Sequence, residues 1–360
     1  MTKPHLVLVH GMGTHDEATF KKTVTGPLNK ASGYFSSIGK FEDEVTLHYI
    51  DYNSIFEDVR RKIAETAIGD LDTKFPNAPS FIADLSKFHG KFDDDSFFYT
   101  HWLDVLIYRS FYKDAVQVRI AKQLLEAMRL AIDEAADIHI LCHSLGSAPM
   151  HDTLHKLYIN DIDPSVGENL LSAGLNRIKS ITMVANVSLL LEAGANPYTS
   201  AVKPGLNGGI CDYFLNCRHV LDPIASIDKF DPGSHWVDIR PLQFKNISIN
   251  GIERANVHDL DHYLANPRIF IPLFYHLFQG TFITKQAEVE KAYAEHDETT
   301  VQGRFEKLRH ELGDASFTLQ WNPDTMEFDY TGNLKDIEKQ LVGFIDHLET
   351  IKDDFSAIKK

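Results

Sequence analysis

The chain reads as an α/β protein with a mostly parallel central sheet and helices on both faces. Three observations predict this. Short, continuous, β-branched apolar runs have the length of buried strands, amphipathic stretches of helical period lie between them, and tight turns follow two of the runs directly. The first run, Leu6 to Val9, is bounded by Pro4 and by His10-Gly11, so it reads as a buried strand entering a glycine-bearing loop. In Glu44 to Ile50, Val45, Leu47 and Tyr49 alternate with polar neighbours, which predicts a second strand. After Asp51 the pattern changes. Ile55, Phe56, Val59 and Ile63 recur at helical spacing, a mixed stretch carries the run Asp93 to Asp95, and Phe97, Phe98, Tyr99, Trp102 and Tyr108 follow. Residues 53–112 are therefore expected to form a largely helical cap inserted on the core.

Ala121, Leu124, Leu125, Met128 and Ile132 make an amphipathic stripe that leads into a strand ending before Ser144. From Gly146 onward, Ala148, Met150, Leu154 and Leu157 predict another helix, with Pro149 tolerated in its first turn. Further strands are expected at Ile178 to Val187, Tyr213 to Leu221 and Trp236 to Ile247, the last interrupted by Pro241, and a loop at Gly194 to Gly209. Phe270 to Phe278 is apolar enough for a buried helix, and Leu334 to Leu348 carries one closing amphipathic pattern. The expected division is a core domain over 1–284 and an extension over 285–360 packed on it.

With 360 residues, 43% of them hydrophobic and 24% charged, the chain has the make-up of a globular protein with a sizeable core. Its 36 basic and 51 acidic side chains leave a net charge of −15, which repels phosphate backbones and argues against nucleic acid as a partner. No apolar run approaches the roughly 18 to 20 residues of a membrane span. The segment from Met1 to His5 lacks the pattern of a secretory signal. Cys142, Cys211 and Cys217 are too few and too irregular for a disulfide framework, so a reducing cytoplasm is the expected setting. The spacing of Cys211 and Cys217 fits no zinc site, and Asp93 to Asp95 lacks the glycine and spacing of a calcium loop. Neither a P-loop nor a dinucleotide fingerprint is present, so no cofactor and no metal are expected.

Chemistry concentrates in Cys142-His143-Ser144-Leu145-Gly146, set between an apolar strand and a helix. A serine on such a turn is pushed out of the sheet with backbone amides close by. Cys142 stands where the usual pattern has glycine. Ser144 is the expected nucleophile. The loop His10-Gly11-Met12-Gly13 supplies a second signal, because acyl transfer needs two donors aimed at a developing oxyanion. The amides of Leu145 and Met12 are the candidates. His10, Gly11 and His143 flank these turns as candidate substrate contacts, and His15 is a further candidate for shaping the loop. A serine needs a histidine to take its proton and a carboxylate to orient that histidine. Asp222, ahead of Pro223 after a late strand, is the expected acid, with Asp228 in reserve. His258 and His262 compete for the base, and His258 is preferred because it precedes the helical stretch.

The order Ser144, Asp222, His258 is that of the α/β-hydrolase fold. HGMG resembles the family's oxyanion loop and CHSLGS its nucleophile elbow, while VLDPIA and VHDLDHYL resemble the acid and histidine segments of lipases and esterases. The resemblance spans residues 6 to about 265 and implies a serine hydrolase acting on a carboxylic ester; the aromatic content of the expected cap favours a lipid-like or acyl ester as the small-molecule substrate. An amidase, thioesterase or acyltransferase would use the same triad. A catalytically silent hydrolase fold serving as a binding or scaffold module is the alternative from another class, against which the intact trio argues. The oligomeric state is not written in these patterns.

Overall fold

The computed structural model describes residues 2–11, 16–55, 112–167, 171–189, 195–222, 225, 229–236, 238–253, 256–304, 318–322 and 327–331, the last two by backbone alone. Strands β1 (His5–Val9) and β2 (Thr46–Ile50) are joined through helices α1 (Glu17–Ser32) and α2 (Phe41–Glu44). Helix α3 (Lys113–Asp133) leads to β3 (Ile138–His143), and α4 (Ser147–Tyr158) separates β3 from β4 (Ile178–Val184). Strands β5 (Cys211–His219) and β6 (Phe244–Ile249) complete the sheet, followed by α5 (Leu260–Leu264), α6 (Pro267–Leu277) and α7 (Gln286–Asp297). A separate antiparallel pair, β7 (Thr318–Asn322) and β8 (Glu327–Thr331), lies in the tail.

The six strands are all parallel, in the order β2-β1-β3-β4-β5-β6. Strand alternation explains why helices cover both faces. Val7 and Val9 of β1 and Ile140 and Cys142 of β3 pack in one core with Val116, Ile120 and Leu124 of α3 and Met150 and Leu154 of α4. Leu6, Leu8 and Leu141 point the other way, into a second core with Phe20, Val24 and Leu28 of α1 and Phe270, Leu273 and Phe274 of α6. A strand buried on both sides must be apolar throughout, which is why these runs are continuous and not alternating.

The first strand lies one in from an edge of the sheet; the chain moves outward to β2, then returns to the other side of β1 to place β3. The strand order therefore reverses between β1 and β3. In an open parallel sheet, the loops leaving the two strands at such a reversal diverge and leave a crevice at their carboxyl ends. Val9 pairs with Cys142 at that edge, so the loop starting at His10 and the turn starting at Ser144 emerge side by side.

Several expected boundaries move. Phe41 to Glu44 is a helical turn, and the second strand begins at Thr46. The strand expected from Trp236 is confined to Phe244–Ile249. Pro241 has no amide to give a ladder, and Trp236 instead buries its ring against Phe214, Phe230 and Phe244 while its indole N–H donates to the Tyr198 carbonyl at 3.0 Å. The strand expected to reach Val187 stops at Val184, where Ala185 takes φ +49°. The strand expected at Tyr213 to Leu221 is Cys211–His219, and the helix expected at Phe270 to Phe278 is Pro267–Leu277. Asn266 caps that helix, its side chain accepting from the Arg268 N–H at 2.9 Å. The cap expected over 53–112, except for its ends, and the closing pattern at Leu334 to Leu348 lie outside the described residues. Among the described residues no helix is long and apolar enough to cross a membrane.

Candidate active site

Ser144 sits at the first position after β3 with φ +52°. A side chain in this left-handed region costs about 1–2 kcal/mol, so the surroundings must hold it there. The Ser147 hydroxyl does so from within the turn, donating to the Ser144 carbonyl at 2.6 Å and accepting from the Val187 N–H at 3.0 Å. Gly146 does so by what it lacks. Its φ of −57° is open to any residue, but a Cβ there would stand 2.2 Å from the His10 carbonyl oxygen. The elbow thus rests directly on the backbone leaving β1. A Cβ on Gly11 would likewise come within 3.0 Å of the Ser144 Cβ. Cys142 is wholly buried, and burial alone pushes its thiol far up, as it does for Cys217, so these thiols stay protonated. Cys142 is a small side chain that points into the core shared with α3 and α4.

The Ser144 hydroxyl meets His258 Nε2 at 2.7 Å, and His258 Nδ1 meets Asp222 Oδ2 at 2.7 Å. A carboxylate can only accept, so the proton sits on Nδ1 and Nε2 is left to accept from Ser144. Asp222 follows β5 and is fully buried; His258 follows β6 and is 6% exposed. Burial acts most strongly on the Asp222 carboxyl and pushes its pKa up. The His258 imidazole, the Tyr263 hydroxyl and the Ala225 amide donate to it and together pull it below its ordinary value. Asp222 is therefore an anion at neutral pH.

The loop carrying His258 is fixed on two sides. His143 Nε2–H donates to the His258 carbonyl at 2.8 Å, and the Asn256 side chain accepts from the His258 N–H at 3.2 Å. His143, expected among the substrate contacts, is thus engaged in holding the His258 backbone. His10 also takes a different place from that expected. Its ring is fully buried, stacked on Tyr52 at 4.4 Å and on Tyr49 at 5.5 Å. Tyr52 further donates its hydroxyl to the His10 carbonyl at 2.7 Å. A ring so enclosed supports the loop from beneath. Gly11 lies against Ser144.

His262, the rival base, is buried one helical turn on, 3.8 Å from Glu253 and ring to ring with His219 at 5.3 Å. His258 lies in the loop before α5 and His262 within it, and only His258 of the two meets Ser144. Leu145 follows the nucleophile at the head of the turn into α4, where the first amides have no carbonyl behind them. Met12, His15 and Asp228 lie outside the described residues. Two contributors escaped the sequence reading, Ser147 and Tyr263. Ser147 had the signal of a short polar residue in a strained turn; Tyr263, inside an apolar helical pattern, had none. Among the described residues no cluster of three or more metal-ligating side chains is present.

Fold and site together define an α/β protein with a hydrogen-bonded serine, histidine and aspartate at the carboxyl edge of a parallel sheet. Comparison with models of known protein families, with curated proteins and with solved structures finds no match for this chain.

Proposed function

We propose that the chain is a serine hydrolase of the α/β-hydrolase fold that cleaves a carboxylic ester through an acyl-enzyme. The observation that carries this reading is the unbroken chain from Ser144 Oγ to His258 to Asp222, each link 2.7 Å long. In this mechanism His258 Nε2 takes the Ser144 proton as the oxygen attacks the ester carbonyl. Asp222 keeps the imidazole in the required tautomer and stabilises its positive charge. The tetrahedral oxyanion is received by the Leu145 amide and by an amide of the loop after Gly11, with Met12 the expected donor. His258 then protonates the departing alcohol, and a water activated by the same imidazole releases the acid. No metal or cofactor is called on in this sequence of steps.

Three features support the reading beyond the relay. The reversal of strand order lies where parallel sheets bind small molecules, Ser144 holds a strained φ of the kind that clusters at active sites, and the net charge of −15 disfavours a polyanionic partner. A fluorophosphonate, which reacts with activated serines, tests it. Labelling at one site is expected, lost in Ser144→Ala and in His258→Ala and retained in His262→Ala. Labelling that persists in Ser144→Ala, or loss confined to His262→Ala, overturns the assignment. A panel of esters, thioesters and amides of graded acyl length then separates the esterase from the other acyl-transfer chemistries.

A further inference from the structure

Asp222 Oδ2 is shared. It accepts from His258 Nδ1 and also from the Tyr263 hydroxyl, each at 2.7 Å. The direction of the second bond is fixed by a third group. The His219 backbone N–H donates to the Tyr263 oxygen at 2.8 Å, so the single phenolic proton is turned towards the carboxylate. His219 is itself held at both ring nitrogens. Nδ1 accepts from the Leu221 N–H at 3.1 Å and Nε2–H donates to the Gly251 carbonyl at 3.1 Å. Tyr263 is fully buried, and burial followed by the Asp222 charge pushes its hydroxyl far up, so it is a permanent donor. The base and this clamp on the acid lie in one short stretch, the loop before α5 and α5 itself.

We infer that Tyr263 is a positioning residue for the Ser144–His258–Asp222 relay, aiming the Asp222 carboxylate and moderating its grip on the His258 proton; this rests on the hydrolase reading above. Two donors on one oxygen compete for the same electron density. With the phenol present, Oδ2 divides its negative charge between two hydrogen bonds. Without it, His258 faces a carboxylate with less of its charge satisfied and holds its proton more tightly, so a higher pH is needed to free Nε2 for Ser144.

The test follows the rate of fluorophosphonate labelling at Ser144 across pH, in the full chain. In Tyr263→Phe the acid limb of the profile is expected to move up by about half a pH unit. The plateau rate is expected to fall by about tenfold, a partial loss of the roughly 10²–10⁴-fold that a positioned proton-transfer group contributes. A ring-fluorinated tyrosine at position 263 keeps the shape and donates more strongly, so its acid limb moves down. This second variant carries the test alone if Tyr263→Phe does not fold. Profiles that superimpose on the native one, or a slower plateau with an unmoved limb in both variants, overturn the role of Tyr263. A native protein that is not labelled overturns the hydrolase reading and this inference with it, a result distinct from any obtained with the variants.

Discussion

Gly146→Ala separates two explanations of a glycine in the nucleophile turn. The residue has φ −57° and ψ −22°, ordinary helical values, so the backbone itself makes no demand for glycine. If conformation were the only issue, alanine would stabilise the start of α4 by up to about 1 kcal/mol. The packing says the opposite. The new Cβ would lie 2.2 Å from the His10 oxygen, against a limit of 3.0 Å below which real Cβ contacts are essentially absent, so something must move by about 0.8 Å. The His10 side cannot easily give way, because Tyr52 holds its carbonyl at 2.7 Å and β1 is paired on both edges. The elbow moves instead. Such overpacking costs about 1–3 kcal/mol. A displacement near 0.8 Å, taken along the 2.7 Å Ser144–His258 bond, also stretches it to the limit of a hydrogen bond, a misplacement worth about a hundredfold in rate. Denaturant midpoints read the first effect and fluorophosphonate labelling rates the second. An alanine variant as stable as the native protein and labelled at its rate would refute the close-approach argument.

Two further outcomes are expected. Ser144→Gly and Ser144→Ala both abolish labelling, but the glycine variant is the more stable. Relief of the φ +52° strain gives about 1–2 kcal/mol, and the entropy of glycine takes back about 0.5–1, leaving up to about 1.5 kcal/mol readable in denaturant titrations; a glycine variant less stable than the alanine variant would mean the strain is absent. Asp222→Asn is expected to flatten the dependence of stability on acid. A carboxylate whose pKa is lowered by folding stabilises the fold above its ordinary value of 3.8 and loses that contribution as pH falls through the lower, folded value. Native and variant curves of stability against pH should therefore converge below 3.8, and parallel curves would contradict the assignment.

Much of this was legible because doubly buried strands write themselves as unbroken apolar runs. The runs at Leu6 and Ile178 needed only that. Ser144, Asp222 and His258, which the structure brings into one hydrogen-bonded chain, were legible because each follows a strand, and His258 was preferred to His262 because it precedes the helical stretch. What failed did so for lack of three-dimensional context. Trp236 and its neighbours have the hydropathy of a strand, yet serve as an aromatic plug beside one. His10 and His143 look available beside the two loops, but one is stacked between tyrosines and the other is bonded to the His258 backbone. The Tyr263 contact with Asp222 spans 41 residues, and hydrophobic periodicity tells only that Tyr263 is buried, not what its hydroxyl meets.

The strand order has a consequence for biogenesis. Serine and imidazole are 114 positions apart, and the carboxylate comes from a third segment between them. No single helix and no neighbouring strand pair brings the serine and the imidazole together, since β3 and β6 are separated in the sheet by β4 and β5. A ribosome-bound chain that has emerged only as far as α4 carries the serine but has nothing to deprotonate it. On the hydrolase reading proposed above, Ser144 gains its reactivity only once β5 and β6 have docked, so activity would report on completion of the sheet.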